Sequence, residues 1–344
     1  MERVYITDCE GPLTKNDNAF EISAHFMPQG DRFFTLISRY DDILADILRR
    51  PDYNPGDTLK LILPFLKAHG VTDEMIKEFS RESLLLIPKA DELIRSVKGL
   101  MPSFIISTSY EHYISALCEL TGFPFENTFS TKLSLNSYEI DEEEKKGLKE
   151  LYEEILELSI EIPENCKSFD ELSIETREAV EKLDEIFWKE IAGMKIGRIL
   201  KDMNPVGGSE KVKAIEDALE RTGSSPENCM YVGDSITDAE PLRFVRENGG
   251  VSVSFNGNEY ALREAEIAVI SNRASVMLLL AKIFREYGKE NLIEFVREFP
   301  EALRESSDEI VEIHILSSEN FSEILRKSKE MRKKVRGEKI GSLG

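Results

Sequence analysis

The pair of acidic residues behind the first apolar segment is the earliest sign of chemistry in this sequence. Residues 3–7 have the pattern of a buried strand, and Asp8 and Glu10 follow them. In a strand, the alternation of side chains places both carboxylates on one face. Two carboxylates in one small volume repel each other unless a cation or a shared proton neutralises them. The competing interpretation is a strand that runs into a solvated acidic turn, because Gly-Pro comes next.

Three later segments carry polar groups that suit a shared site. Ser107 ends the apolar segment FIIS, Lys211 starts a helical pattern, and Asp234 and Asp238 lie in GDSITD. Taken singly, each residue is also explained as a capping, turn or solvated residue. Parallel strands gather their carboxyl ends at one edge of the sheet, where ligands usually bind. The order and strand context of the whole set therefore favour a common site.

These residue types suit phosphoryl transfer to water through an aspartyl-phosphate, with Asp8 as the nucleophile. A carboxylate that attacks a dianionic phosphate is repelled by it. The site therefore needs Mg²⁺, which takes oxygen ligands from a few carboxylates and from phosphate. Asp8 and Asp234 are the predicted direct ligands. Asp238, four residues further on, would hold a metal-bound water or orient Lys211.

The remaining groups would stabilise charge and move protons. Lys211 would neutralise charge on the transferring phosphoryl oxygens, and the Ser107 hydroxyl would donate a hydrogen bond to one of them. Glu10 would protonate the leaving oxygen and then deprotonate the attacking water. The predicted function is hydrolysis of a small phosphorylated metabolite. Two alternatives stay open: phosphoryl transfer to an acceptor other than water, and a binding or assembly protein that kept the fold without vigorous catalysis.

Short apolar segments separated by helical patterns predict the elements that position these groups. Such an alternation indicates an α/β fold with a parallel sheet covered by helices on both faces. The expected core strands are residues 3–7, 103–107, 229–233, 251–255 and 267–271, with a possible short strand at 311–315.

Two long helical stretches interrupt this alternation and are predicted to be caps over the active site. They cover residues 16–85 and 126–199, where apolar residues recur at helical spacing. The expected catalytic core consists of residues 1–15, 86–125 and 200–275, and residues 276–344 form a mostly helical C-terminal extension.

Composition excludes several classes of partner. The 344 residues include 65 acidic and 44 basic side chains, and the formal net charge of −21 argues against a general nucleic-acid-binding surface. Four cysteines without disulfide or zinc spacing fit a reducing compartment. The first residues do not resemble a secretion signal, and the best apolar segment, Ala274–Phe284, is too short to span a bilayer. We therefore predict a cytoplasmic protein without a membrane partner.

A basic segment stands out from the acidic chain. Between Arg326 and Lys339 there are eight basic and two acidic residues. The favoured interpretation is an exposed helix end whose charge pairs with the acidic body of the protein. Contact with a partner or an anion is the alternative.

The motifs ITDCEGPL, FIISTS, Lys211 and YVGDSITD resemble the four motifs of the haloacid dehalogenase superfamily of phosphatases and phosphotransferases, including uncharacterised archaeal members. The motifs lie between residues 6 and 238, and the stretches between them carry no motif. The resemblance implies a Rossmann-like sheet and Asp8 as nucleophile. It also implies Mg²⁺ held by Asp8, Asp234 and the Glu10 backbone carbonyl, with Ser107 and Lys211 as phosphate ligands.

Glu10 departs from the usual pattern of this superfamily. The second acid of the first motif is usually Asp followed by Gly-Thr, whereas here Glu10 precedes Gly-Pro. Glu at this position is similar to branches such as enolase-phosphatase and phosphoserine/homoserine phosphotransferase, so acid–base chemistry is retained as an expectation. True dehalogenases lack the second carboxylate and the metal, and the presence of Glu10 together with GDSITD argues against dehalogenation.

Some assignments stay open at this stage. Thr108 is an alternative to Ser107, and Lys213 is an alternative to Lys211. Asn258 resembles an Asn near the phosphate in sugar-phosphatase-like members, but it is equally well explained as a turn residue. The helical insertions show no recognisable substrate-binding set, and the oligomeric state does not follow from the sequence.

Overall fold

The computed structural model describes residues 2–51, 53–163, 166–298 and 309–343. Its centre is a seven-stranded sheet in which six strands are parallel and the last is antiparallel to its neighbour. The spatial order is β3-β2-β1-β4-β5-β6-β7. The strands are β1 (Val4–Thr7), β2 (Ser103–Tyr110), β3 (Thr128–Thr131), β4 (Cys229–Gly233), β5 (Val251–Phe255), β6 (Ile267–Ser271) and β7 (Val311–Ile315).

Helices surround this sheet and form the material between its strands. In chain order they are α1 (Asn18–Phe26), α2 (Gly30–Asp42), α3 (Thr58–Leu61), α4 (Leu63–Ala68), α5 (Asp73–Ser83), α6 (Ala90–Leu100), α7 (Glu111–Thr121), α8 (Glu142–Leu156), α9 (Ile174–Glu185), α10 (Ile199–Asp202), α11 (Ser209–Thr222), α12 (Ala239–Glu247), α13 (Glu259–Glu264), α14 (Ser275–Arg297) and α15 (Phe321–Arg336). Two of them, α2 and α9, continue into π-helical turns at Ile43–Ile47 and Ile186–Ile191.

Both faces of the sheet are buried, as its near-continuous apolar strands predict. Tyr5 of β1 packs with α6, α7 and α14 in one apolar cluster. Its neighbours Val4 and Ile6 point the other way and pack with α11 and α12. The predicted α/β class with a parallel sheet is confirmed.

The two helical insertions form one cap, because they share a single apolar core. Phe33 of α2 lies 4.6 Å from Tyr152 of α8, measured between ring centroids. Phe65 of α4 contacts Phe187, in the π-helical turn after α9, at 6.1 Å. Acidic side chains fix where two of these helices begin. Asp17 accepts a backbone hydrogen bond at the start of α1, and Asp141 accepts one at the start of α8. The cap is therefore one packed body built from two separate parts of the chain.

The sheet extends further along the chain than the sequence indicated. Residues 128–131 form β3, an edge strand paired in parallel with β2, although they fall within the stretch expected to be helical. The sequence TFST is short and has three polar residues out of four, which suits an edge strand and gives little apolar signal. At the other edge, the possible strand at 311–315 is present as β7.

Among the described residues, no helix combines the length and apolarity needed to cross a bilayer. The cytoplasmic location stays a prediction.

Candidate active site

Asp8 and Asp234 meet because their strands are neighbours. β1 and β4 pair in parallel with Thr7 opposite Val232, and the Asp8 amide donates to the Val232 carbonyl at 2.8 Å. Asp8 is 4% exposed and Asp234 is 1% exposed. Each of them, together with Asp238, offers one carboxylate oxygen, and these atoms lie within 4.8 Å of one another. The expected gathering of carboxylates at the carboxyl edge of the sheet is therefore present.

Lys211 is the cation closest to the expected nucleophile. It lies in the first turn of α11, and its side chain is 0% exposed. Its Nζ lies 3.1 Å from Asp8 Oδ2 and 2.7 Å from Asp238 Oδ1. Burial alone would lower the pKa of Lys211, but the two carboxylates raise it above its usual value. Lys213, the alternative, faces solvent and pairs with Glu210.

Asp238 anchors this arrangement. Its Oδ1 accepts hydrogen bonds from Lys211 and from the Tyr231 hydroxyl, and its Oδ2 accepts from the amides of Asp234 and Ser235. Burial would raise the pKa of Asp238, but Lys211 and these hydrogen bonds hold it below its usual value. GDSITD is thus also a capped turn, in which Ser235 and Asp238 form a capping box. Of the two predicted roles, the contacts of Asp238 fit the orientation of Lys211.

The electrostatics around Asp8 favour the protonated form of its carboxyl group. Burial raises the pKa of Asp8 to about 7, Lys211 opposes this, and repulsion from Asp238 and Asp234 adds to it. The Cys9 amide donates to Asp8 Oδ1 at 2.7 Å and so fixes the carboxylate. The available donors are carboxylate oxygens, which are the ligands that Mg²⁺ prefers in proteins.

Glu10 lies at the junction between the core and the cap. Its Oε1 accepts a hydrogen bond from the Asn18 amide at 2.7 Å, at the start of α1. Burial raises the pKa of Glu10 well above its usual value, and the neighbouring Asp17 adds to the shift. The next residue, Gly11, has φ of 101°, and a Cβ there would lie 2.0 Å from Asp234 Oδ2. Only glycine fits this position, because the backbone passes so close to the second aspartate.

The hydroxyl groups at the end of β2 differ in their contacts. Ser107 is 1% exposed, and its Oγ accepts a hydrogen bond from the Ser109 amide at 3.3 Å. Thr108 donates its hydroxyl hydrogen to the Val206 carbonyl at 2.9 Å. The Ser107 hydroxyl is therefore better placed than that of Thr108 to donate a hydrogen bond to a ligand, because the Thr108 hydrogen is already used. The Asn258 side chain accepts from the Ala261 amide and caps α13, which fits its interpretation as a turn residue.

The basic segment is not simply an exposed helix end. Arg332 is 3% exposed and the Arg336 side chain is 6% exposed. Arg332 Nη1 contacts Asp234 Oδ2 and lies 3.2 Å from the Asp234 carbonyl oxygen. Arg336 Nη1 lies 3.1 Å from the same Oδ2. The expected pairing with acidic groups is present, but the expected exposure is wrong for these two residues. A spacing of four places both residues on one face of a helix, but Lys329 and Lys333 have the same spacing, so the sequence alone does not identify the buried pair.

The cavity beside Asp8 is small, with a volume of about 100 Å³. The core contributes Asp8 and Ser107 to its wall, the cap contributes Phe34 and Asp41, and the C-terminal segment contributes Leu343. The cap and the C-terminal segment therefore both close over the acidic cluster. Sequence reasoning did not identify their side chains, because no motif marks them.

Comparisons with known proteins agree with this architecture. No family model matches the chain. The gene product AF1437 of Archaeoglobus fulgidus has a solved structure that is 30% identical, with 100% of this chain and 99% of that chain covered and a TM-score of 0.85. A phosphoserine phosphatase structure in apo form matches with 12% identity, 81% of this chain and 98% of that chain covered and a TM-score of 0.50, and it supports the fold alone.

A curated phosphoserine phosphatase of Archaeoglobus fulgidus is 26% identical over 148 residues. The match covers 42% of this chain and 41% of that phosphatase, so the chain spans less than half the length of this relative. The predicted resemblance to haloacid dehalogenase phosphatases is confirmed by three findings. The motifs assemble around Asp8, the fold is similar to that of a phosphoserine phosphatase, and the curated match is also a phosphoserine phosphatase. The similarity to the AF1437 gene product extends over the whole length of this chain.

Proposed function

We propose that this protein is a Mg²⁺-dependent hydrolase of a small phosphorylated metabolite that acts through a phosphorylated Asp8. The observation that carries the proposal is the buried ammonium group of Lys211, 3.1 Å from Asp8 Oδ2 and held there by Asp238. A cation fixed beside a carboxylate at the carboxyl edge of a parallel sheet suits a reaction in which phosphoryl oxygens arrive at that carboxylate. The similarity to a curated phosphoserine phosphatase supports the same reaction class.

The metal would be held by Asp8, Asp234 and the backbone carbonyl of Glu10. The carboxylate oxygens of Asp8 and Asp234 belong to the group that lies within 4.8 Å. Asp238 is left out of this set because each of its oxygens already accepts at least two hydrogen bonds. When bound, Mg²⁺ supplies the positive charge that offsets repulsion between the nucleophile and the phosphate.

In the first step, an oxygen of Asp8 forms a bond to phosphorus while the bond from phosphorus to the leaving oxygen breaks. The Glu10 carboxyl group gives its proton to that leaving oxygen, which departs as an alcohol. Lys211 and the Ser107 hydroxyl stabilise the negative charge of the phosphoryl oxygens throughout.

In the second step, water attacks the phosphorus of phosphorylated Asp8. The Glu10 carboxylate takes the proton of that water, the bond between Asp8 and phosphorus breaks, and inorganic phosphate is released. Both residues then return to their starting states, so the cycle balances protons and charge.

The test uses the purified full-length protein and a generic aryl phosphate, with Mg²⁺ and with excess EDTA. We expect hydrolysis that requires Mg²⁺, and a phosphorylated peptide containing Asp8 after acid quenching. A broad panel of phosphate esters then identifies the preferred substrate class. If no ester in the panel is hydrolysed in the presence of Mg²⁺, the proposal is wrong.

Phosphoryl transfer to an acceptor other than water is a second candidate. The observation that favours it is the position of the cap, whose residues Phe34 and Asp41 line the cavity beside Asp8, because a cap over a site limits the access of water. If added alcohols raise turnover and their phosphorylated forms appear, the protein is a transferase. Unchanged release of inorganic phosphate supports the hydrolase.

A binding or assembly protein is the third candidate. The observation in its favour is the pair of arginines on Asp234, which already neutralises a predicted metal ligand. Stable copurification of a partner, with no metal-dependent turnover, would support this candidate over both enzymes.

A further inference from the structure

Helix α15 brings two arginines into the acidic cluster from a distant part of the chain. Arg332 lies 98 residues after Asp234, and its guanidinium group is nevertheless buried against that carboxylate. Other basic residues of the same helix remain at the surface, such as Arg326, whose side chain is 62% exposed. The burial of Arg332 and Arg336 is therefore a property of their position in the site and not of the basic segment as a whole.

The two guanidinium groups converge on one atom. Arg332 Nη1 and Arg336 Nη1 both contact Asp234 Oδ2. The Asp234 side chain is only 2% exposed, so water screens these charges little. A divalent cation bound to the same carboxylate would be repelled by two positive charges at close range. The arginine pair and the metal therefore cannot both neutralise Asp234 without a large electrostatic cost.

Arg336 also reaches the loop that joins the first motif to the cap. Its Nε donates to the Lys15 carbonyl at 3.1 Å, and its Nη2 donates to the Asn16 carbonyl at 2.5 Å. Arg332 is held less completely, because its buried Nε has no hydrogen-bond partner within the described part of the chain. An unsatisfied buried donor costs free energy, which reduces the cost of moving this side chain away.

We propose that Arg332 and Arg336 are active-site residues that stand in for the divalent cation, neutralising Asp234 until the metal displaces them. The proposal rests on the metal site assigned above. Binding of the metal then disfavours the contact of the two arginines with Asp234, and that contact disfavours binding of the metal. By linkage, each weakens the other by the same factor.

The first test measures Mn²⁺ affinity by electron paramagnetic resonance, with the full-length protein and without substrate. The variants are Arg332→Met, Arg336→Met and the double variant, which keep much of the side-chain volume but remove the charge. The matched control is Arg326→Met, on the same helix, where the side chain pairs with Glu330 at the surface. We expect the double variant to bind Mn²⁺ at least about tenfold more tightly than wild type, and the control to match wild type.

An unchanged affinity in the double variant would overturn the proposal and leave the arginines as structural ion pairs. A weaker affinity would also overturn it, because the arginines would then support the metal ligand.

The second test needs only wild-type protein and so does not depend on the folding of any variant. Hydrogen exchange is followed by mass spectrometry in EDTA and in saturating Mg²⁺. We expect Mg²⁺ to speed the exchange of amides in α15, while peptides covering the buried strand β4 do not exchange faster. If the amides of α15 exchange equally fast or more slowly with Mg²⁺, the arginines and the metal do not compete for Asp234.

These readouts separate the inference from the proposed function. A protein that shows the tenfold change in affinity but hydrolyses no ester keeps the inference and loses the phosphatase. If the wild-type protein hydrolyses phosphate esters but the double variant binds Mn²⁺ as wild type does, the phosphatase is kept and the inference is lost.

Discussion

The ammonium group of Lys211 lies 3.1 Å from Asp8 Oδ2, although neither side chain is more than 6% exposed. Replacement by Met keeps much of the volume and removes the charge. We expect Lys211→Met to lower kcat at least about a hundredfold, because a fixed positive charge no longer stabilises the transferring oxygens. The control is Lys213→Met, whose side chain is exposed, and it should keep wild-type kcat. Equal kcat values for the two variants would contradict the role of Lys211.

Asp8→Asn tests the nucleophile. The substitution keeps size and most hydrogen bonding but removes the attacking charge, so the loss should appear in the chemical step. We expect the rate to fall at least about a thousandfold, or roughly 4 kcal/mol of transition-state stabilisation. Single-turnover kinetics in saturating Mg²⁺ measure it. Retained activity would mean that Asp8 is not the nucleophile and only follows the end of β1.

The same variant has an opposite effect on stability. Asp8 shares a buried space with Asp234 and Asp238, so removing its charge relieves repulsion when no metal is bound. In EDTA, the melting temperature of Asp8→Asn should therefore be no lower than that of wild type. Mg²⁺ should raise the wild-type melting temperature, because it binds the folded state. A clear drop for the variant in EDTA would show that Asp8 stabilises the fold.

Asp41 gives the protein a pH-dependent stability. Burial raises its pKa to about 7, despite hydrogen bonds from Tyr53, Gly56 and Thr58. A raised carboxyl pKa means that the folded state binds the proton more tightly than the unfolded chain. The stabilisation is present at low pH and is lost as the pH rises through about 7. Between pH 5 and pH 8, this group should lower the free energy of unfolding by about 2 kcal/mol.

Denaturant unfolding in EDTA at both pH values measures this effect. Asp41→Asn should show a smaller decline than wild type by that amount. The exposed Asp217 provides the control, since Asp217→Asn should decline as wild type does. If the free energy of unfolding declines equally in all three proteins, Asp41 is not the cause of the pH dependence.

Gly11→Ala separates a steric clash from backbone strain. The new Cβ would lie 2.0 Å from Asp234 Oδ2, at a φ of 101°. The control is Gly70→Ala, which has a φ of 82° and no neighbour within 4 Å of the new Cβ. We expect the control to lose about 1 kcal/mol of unfolding free energy from strain alone. Gly11→Ala should lose about 3 kcal/mol and should bind Mn²⁺ more weakly. Equal losses would show that the approach of the backbone to Asp234 is unimportant.

Much of the sheet was predictable because its strands are buried on both faces. Such strands appear in sequence as short apolar segments, and the predicted segments 229–233, 251–255 and 267–271 coincide with β4, β5 and β6. Edge strands lack this signal. β3 was missed for that reason, since Thr128–Thr131 buries only part of its side chains.

The candidate site was predictable only where residues follow a strand or a motif. Asp8 and Asp234 were expected at the same edge because each follows a parallel strand, and they are adjacent because β1 and β4 are neighbours in the sheet. The choice between Lys211 and Lys213 depends on which face of α11 meets the sheet. Lys211 lies on the same helical face as the buried residues Ala214 and Ile215, and this spacing is the sequence signal that favours it. Arg332 could not be predicted, because its contact with Asp234 joins residues separated by 98 positions without a shared motif.

The position of the two arginines in the chain has a consequence for biosynthesis. A ribosome makes Asp8 and Glu10 early, Asp234 much later, and Arg332 only 98 residues after that. Domains can begin to fold while the chain is still being made. During that interval Asp234 lacks its two arginine partners, whereas Lys211 is already present to pair with Asp8 and Asp238. Asp234 is therefore accessible to cations from solution before the arginines of α15 reach it.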